Sequence, residues 1–222
     1  MMARWLRAET QKERERRIME IKTLQPAMAE LERVLQWAAT TTGMDQERVV
    51  PTIQTRGKKA RCGGWFAPER WSTREGQVCH EINFSAELLK EKPEVIVALA
   101  VHEVVHLWCH AMKLKDVSKG GRHNKIFREY AEILGLVCAK PSDTYGYGYT
   151  TAGEELAERI EKECQPDVAM FDLFRIAVEA PEKTEKPKAP KYSCGCTEFR
   201  SKAEVVATCN KEDCGNRFKV VG

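Results

Sequence analysis

A run of apolar residues from Val95 to Trp108 carries two histidines and a glutamate in the order His-Glu-Val-Val-His, at positions 102–106. Pro93 is typical of the first turn of a helix, so we expect a buried central helix from Pro93 to about Leu114. Buried imidazole and carboxylate groups are costly unless they have polar partners. A bound metal ion supplies those partners, whereas two ordinary core histidines would have to find them elsewhere.

The spacing of the two histidines is typical of a metal site. Residues four apart lie on one helix face, so His102 and His106 can direct two imidazoles at one ion. Glu103 then lies beside the open coordination position, where a carboxylate can take a proton from water. Zinc in such a site lowers the pKa of bound water and polarises a peptide carbonyl. The pattern predicts a catalytic zinc ion with Glu103 as the base.

A catalytic zinc ion needs a third protein ligand, and three histidines are candidates. His110 lies about 12 Å along the helix from His102, too far to share an ion. His80 falls in a predicted strand, where a half-buried structural histidine is more common. His123 follows a Gly-Gly pair that lets the chain fold back. We therefore expect His123 to be the third ligand.

The rest of the chain mixes short strands and helices. Three short β-type runs separated by turn-like segments predict a small, mainly antiparallel sheet at residues 49–53, 62–66 and 78–84. Amphipathic patterns predict further helices at about 26–43, 124–134 and 152–163. The predicted fold class is α+β, with the small sheet packed on the central helix.

Composition divides the chain into four parts. Residues 1–24 read as a charged helix, 25–180 as the main domain, and 192–222 as a small C-terminal domain. Between the two domains, residues 181–191 are mostly Pro, Lys and Glu, which predicts an extended linker. The beginning of the chain shows no signal-peptide pattern and no stretch typical of a membrane span, so we expect a soluble, cytoplasmic protein without a membrane partner.

Four of the nine cysteines crowd into the C-terminal domain. They form two close pairs separated by 12 residues, Cys194 and Cys196 before Cys209 and Cys214. This arrangement suits a tetrahedral four-thiolate zinc site, which is closed and hence structural. So short a segment buries little apolar surface, and a metal would supply the missing stability. We predict a zinc ribbon.

Three segments of the main domain together resemble the SprT-like metallopeptidase family: 102–106, Gly121–Phe127 and Ala131–Leu136. Tyr192–Cys196 and Cys209–Gly215 resemble the zinc ribbon that often follows in that family. The resemblance implies a zincin-like domain, with His102, His106 and His123 as zinc ligands and Glu103 as the base. Family members include proteases that degrade proteins crosslinked to DNA. Many members have Gly directly after the third histidine, where this chain has Asn124.

A second feature of the sequence concerns nucleic acid. From Thr55 to Arg74 there are six basic residues against one acid, a net charge of +5, with tryptophans interleaved. Positive charge with aromatic faces is typical of single-strand binding. The alternative is a solvated loop whose tryptophans complete the core. The candidate DNA contacts are Arg56, Lys58, Lys59, Arg61, Trp65 and Trp71.

The function predicted from these patterns is hydrolysis of peptide bonds in a protein substrate, with single-stranded DNA as a second partner. The competing interpretation is a non-catalytic zinc-binding module that binds DNA or regulates a partner. Glu103 argues against it, because a purely structural site does not need that carboxylate. The loop from Tyr145 to Tyr149 either lines a substrate groove or packs on its own domain.

Overall fold

The computed structural model describes residues 21–55, 62–176 and 188–221. The chain divides into two compact units, residues 1–178 and 179–222. Most of the charged helix predicted at 1–24, and residues 181–187 of the predicted linker, lie outside the described residues.

The first unit contains four α-helices and two small sheets among its described residues. The helices are α1 (Gln25–Thr42), α2 (Pro93–Ala111), α3 (Lys125–Ile133) and α4 (Glu154–Arg159). The strands are β1 (Val49–Gln54), β2 (Gly64–Ser72), β3 (Val78–Ser85), β4 (Leu136–Cys138) and β5 (Thr150–Ala152). Mixed α+β class is confirmed, and α1 and α3 lie close to the bounds expected from the sequence.

The main sheet is mixed, so the prediction of a mainly antiparallel sheet was wrong. Its order is β1-β3-β2, with β1 parallel to β3 and β2 antiparallel to it. The end of β1 and the beginning of β2 flank the end of β3, because Gln54 is opposite Ser85 and Gly64 is opposite Phe84. Strand β3 therefore lies between two strands that precede it in the chain. β2 is left as an edge strand of this sheet.

One face of the sheet packs against α2 to form the core. Ile82 and Phe84 of β3 are fully buried, as are Ile96, Val97 and Val105 of α2. Helix α1 covers the same core through Leu31 and Val34. Removing each such side chain from water contributes about 1.5–3 kcal/mol, so α2 is held firmly and its polar residues are fixed in place.

Helix α2 is long and apolar enough to cross a membrane by length and composition. However, 61% of its apolar window is buried inside the fold. Such burial is what the core helix of a soluble protein shows, and it agrees with the central helix predicted from the sequence.

The second unit is a small antiparallel sheet of β6 (Lys191–Ser193), β7 (Glu198–Arg200) and β8 (Lys219–Val220), in the order β7-β6-β8. An aromatic stack of Tyr192, Phe199 and Phe218 packs on it, with ring centroids 5.0–5.7 Å apart. This is a small core for a separate unit, and it places the cysteine loops next to one another.

Candidate metal centres

Three imidazoles converge at the middle of α2. The Nε2 atom of His123 lies 3.2 Å from Nε2 of His102 and 3.1 Å from Nε2 of His106. These three residues form one of two groups in the described chain that could hold a metal ion. Three nitrogens bound to one tetrahedral ion at zinc distances would lie about 3.4 Å apart, close to the spacing observed.

The hydrogen-bond partner of Nδ1 in each imidazole determines whether Nε2 can act as a metal ligand. Nδ1 of His123 lies 3.1 Å from the backbone oxygen of Tyr145, which can only accept, so this nitrogen carries the proton. Nδ1 of His106 contacts the Asp116 carboxylate, another acceptor. The Nε2 atom of the neutral His123 ring is then a lone pair, and it faces Nε2 of His106 at 3.1 Å. Two ring nitrogens at this separation suit a shared metal ion.

The imidazole of His102 is also held by a contact at its Nδ1 atom. Nδ1 of His102 lies 2.9 Å from the Thr150 hydroxyl at the start of β5. Phe127 forms a buried floor under all three rings, at centroid distances of 4.6 Å to His102, 4.9 Å to His106 and 4.4 Å to His123. The ligand geometry is therefore set by neighbours from α3, β5 and two loops.

Two of the three histidines, His102 and His123, are also in the protonation state that metals require. Burial lowers the pKa of His102 well below its usual range, and nearby His106 and His123 lower it further. Burial lowers the pKa of His123 to about 4, again with a contribution from His106. Both rings are neutral at neutral pH, and a neutral imidazole is the form that ligates a metal.

The Tyr-Gly-Tyr-Gly-Tyr loop holds His123 through its glycines. A Cβ atom on Gly148 would lie 2.6 Å from Nδ1 of His123, and one on Gly146 would lie 2.0 Å from the His123 backbone oxygen. The backbone amide of Tyr147 donates to that same oxygen at 3.2 Å. The loop can therefore approach the ligand this closely only because the two residues lack side chains.

The tyrosines of this loop divide between two roles. Tyr145 and Tyr149 line the groove that contains the histidines, whereas Tyr147 packs against the core. Different residues of the loop thus line the groove and pack on the domain.

Asn124 has a structural role next to the third histidine. Its side-chain oxygen accepts from the backbone amides of Ile126 and Phe127, at 2.8 and 3.3 Å, and so caps α3. Its backbone amide donates to the backbone oxygen of Asp116 at 2.9 Å. Asn124 thereby ties the start of α3 to the loop whose carboxylate holds His106.

Glu103 is buried beside the histidines, with 2% of its surface exposed. The beginning of β2 lies directly over it. A Cβ atom on Gly64 would lie 3.0 Å from Glu103 Oε1 and 2.5 Å from the Asn83 backbone oxygen. A glycine at this position lets the edge strand approach the carboxylate.

A groove of about 720 Å³ runs past these groups. Its described walls include the three histidines, Glu103, Trp65 and Phe66 of β2, and the two groove-lining tyrosines. The groove therefore brings a carboxylate, a metal-binding cluster and an edge strand to one surface.

The second group that could hold a metal ion lies in the C-terminal unit. It consists of Cys194, Cys196, Cys209 and Cys214. The sulfur of Cys196 lies 3.3 Å from that of Cys194 and 3.6 Å from that of Cys209. Thiolates on one tetrahedral zinc ion would lie about 3.8 Å apart. The nine cysteines, all within the described residues, form no disulfide bond.

The other histidines predicted as alternatives lie outside the cluster. The rings of His80 and His110 pack against each other at 5.1 Å and against Phe66 at 5.6 and 5.7 Å. His80 also faces Glu47 at 3.5 Å. Neither belongs to a group of side chains that could hold a metal ion among the described residues.

The candidate DNA contacts are only partly described. Arg56, Lys58, Lys59 and Arg61 lie outside the described residues. Trp65 and Trp71 line a second groove of about 620 Å³ on β2, together with Arg70 and Glu81. The Trp71 indole N–H donates to Glu81 at 2.8 Å, and 44% of the Trp71 surface is exposed.

Asp116 and Thr150 were not singled out from the sequence. Neither lies at a recognisable spacing from the His-Glu-Val-Val-His motif, so no local pattern could have found them. Comparison of the chain with protein-family models, curated proteins and solved structures found no match.

Proposed function

We propose that this protein is a zinc-dependent peptidase of the SprT-like kind, with a structural zinc ribbon at its C-terminus. The observation that carries the proposal is the convergence of the Nε2 atoms of His102 and His106 on that of His123, at 3.2 and 3.1 Å, beside the buried carboxylate of Glu103. A structural metal site needs ligands only. A buried carboxylate next to three ligands in an accessible groove is what hydrolysis requires.

The three imidazoles would hold the ion and leave the side toward the groove open. When bound, zinc supplies a Lewis acid that acidifies water and polarises the peptide carbonyl. Glu103 takes a proton from the attacking water and later passes it to the leaving amine. Asp116, Thr150 and the Tyr145 carbonyl keep the imidazoles oriented throughout.

The substrate would lie in the groove as an extended chain. β2 is an edge strand, and the groove follows its residues Gly64–Phe66. An exposed strand edge offers backbone groups that can pair with a peptide segment. Cleavage would therefore favour segments free to become extended. Cysteines without disulfide bonds suit an intracellular location, where thiols stay reduced.

Removal and return of the metal tests the proposal. Chelation of the purified protein should abolish cleavage of an unfolded protein such as reduced, alkylated casein, because the imidazoles alone cannot acidify water. Stoichiometric zinc should restore cleavage, followed by gel and mass spectrometry. If the zinc-loaded protein cleaves nothing, the non-catalytic zinc module becomes the better account.

A second candidate partner is single-stranded DNA. The specific observation is that Trp65, Trp71 and Arg70 line one groove. The hydrogen bond to Glu81 fixes the Trp71 indole while leaving much of its ring exposed. Base stacking on an exposed aromatic contributes about 1–3 kcal/mol, and nearby basic residues attract the backbone.

Binding of a labelled oligonucleotide tests this partner. Trp71→Ala should weaken binding on the order of tenfold. Joint neutralisation of Lys58, Lys59 and Arg61 should weaken it and flatten its salt dependence. A charge-matched control replaces the exposed Lys92, Lys140 and Lys162 by glutamine. Equal losses in the control and test variants, or no binding at low salt, would remove DNA as a partner.

A further inference from the structure

One stripe of α2 forms the floor of the groove along almost the whole helix. The stripe consists of Val95, Leu99, His102, Glu103, His106 and His110. From Val95 to His110 it extends about 22 Å. An extended peptide of roughly six residues would cover that length.

The two ends of this stripe differ in chemistry. Toward the C-terminus of α2 the groove is mixed, because polar His110 and Asp116 lie there together with apolar Leu114 and Val117. Toward the N-terminus it is apolar, with Val95 and Leu99 joined by Leu88. Val95 is 45% exposed, although it is a large apolar side chain on the central helix.

A pair of glycines packs directly against the apolar end of the groove. A Cβ atom on Gly63 would lie 3.3 Å from side-chain carbons of both Leu88 and Leu99. One on Gly64 would lie 3.2 Å from Leu99 as well as 3.0 Å from Glu103 Oε1. The two glycines therefore bring bare backbone next to the leucines, and the leucines and the carboxylate share one contact surface.

The position of this apolar end relates it to the reaction centre. Leu99 precedes Glu103 by four residues and so lies one helical turn away on the same face. The described walls of the groove contain no Lys or Arg, and the Asp116 carboxylate is engaged by His106. A charged substrate side chain placed among Leu88, Val95 and Leu99 would lose water without gaining a charged partner from these three residues.

We infer that Leu88, Val95 and Leu99, which line the groove beside Gly63-Gly64, form a specificity pocket for one large apolar side chain next to the scissile bond. The inference rests on the proposed peptidase function and adds its substrate preference. Leucine, methionine or phenylalanine would fill the pocket, whereas lysine or glutamate would be rejected. Since such residues are mostly buried in folded proteins, the preferred substrates are unfolded or locally opened chains.

A quenched-fluorescent peptide series tests the pocket. The peptides differ at one position, scanned along six residues, and carry Leu, Phe, Ala, Lys or Glu there. The zinc-loaded protein should cleave the Leu peptide at least about tenfold faster than the Lys peptide at one position only. Mass spectrometry of the products should place that position beside the cleaved bond.

Two variants change the pocket in opposite ways. Leu99→Glu should shift the preference toward the Lys peptide, because it supplies the missing counter-charge. Leu99→Ala should raise cleavage of the Phe peptide relative to the Leu peptide by enlarging the pocket. Ile133→Glu, at a residue 61% exposed on α3, is the matched control and should leave the profile unchanged. A flat profile, or an unchanged profile in both Leu99 variants, would overturn the inference while leaving the peptidase intact.

Peptide binding tests the specificity pocket independently of peptide hydrolysis. In zinc-loaded Glu103→Gln, anisotropy of the labelled peptides should show the same order of preference, with Leu tighter than Lys. If no peptide is hydrolysed by the wild type but this binding order is found, the proposed chemistry fails and the pocket stands. Equal binding of the Leu and Lys peptides would overturn the pocket, whatever the activity.

Discussion

Replacing Glu103 by glutamine is expected to lower kcat/KM for peptide hydrolysis by about two to four orders of magnitude, the usual contribution of a positioned general base. Glutamine has nearly the same shape and fits the same buried position under Gly64. It cannot accept a proton from water. Zinc content should stay at the wild-type value, because the three histidines are untouched.

The matched control for this variant lies on the same helix. Glu94 is an exposed residue in the first turn of α2, away from the ligands. Glu94→Gln removes the same charge and should retain wild-type activity at equal zinc content. The account is contradicted if Glu103→Gln remains fully active, or if both variants lose activity to the same extent.

The C-terminal unit is expected to unfold when Cys209 is replaced by serine. This residue is nearly buried, and its sulfur lies 3.6 Å from that of Cys196. Binding of a structural zinc ion contributes about 10–16 kcal/mol to folding in small zinc domains, far more than three packed aromatic rings can. The variant should lose one zinc ion, and its last 30 or so residues should become sensitive to protease.

A cysteine outside the cluster provides the control for the ribbon. Cys79 is half-buried on β3 and lies outside the four-cysteine group. Cys79→Ser should keep both zinc ions and a protected C-terminus. A Cys209→Ser protein that retains its zinc and its protection would show that the ribbon does not depend on the metal.

The two groups of side chains that could hold a metal ion were accessible from the sequence because their spacing is local. His102 and His106 are one helical turn apart, and the four cysteines are two short-range pairs, so spacing alone indicates shared ions. His123 was predicted for a weaker reason, the flexible Gly-Gly pair before it. Its place is in fact fixed by Gly146 and Gly148, more than 20 residues later in the chain.

The features that were missed all depend on contacts distant in sequence. In the sheet, β3 lies between β1 and β2. The alternation of side chains within each strand carries no information about this order of the strands. Asp116 and Thr150 reach the imidazoles only because the loops after α2 and before β5 come together around His123. β2 is also longer than expected, since Pro68 is tolerated on an edge strand.

The metal at the histidine cluster is the feature on which the peptidase proposal depends. The most direct measurement is the zinc content, by elemental mass spectrometry, of Cys209→Ser with and without a second change, His106→Ala. We predict one zinc ion per chain in Cys209→Ser and none in the double variant. One ion in both proteins, or none in Cys209→Ser, would contradict a zinc site formed by His102, His106 and His123.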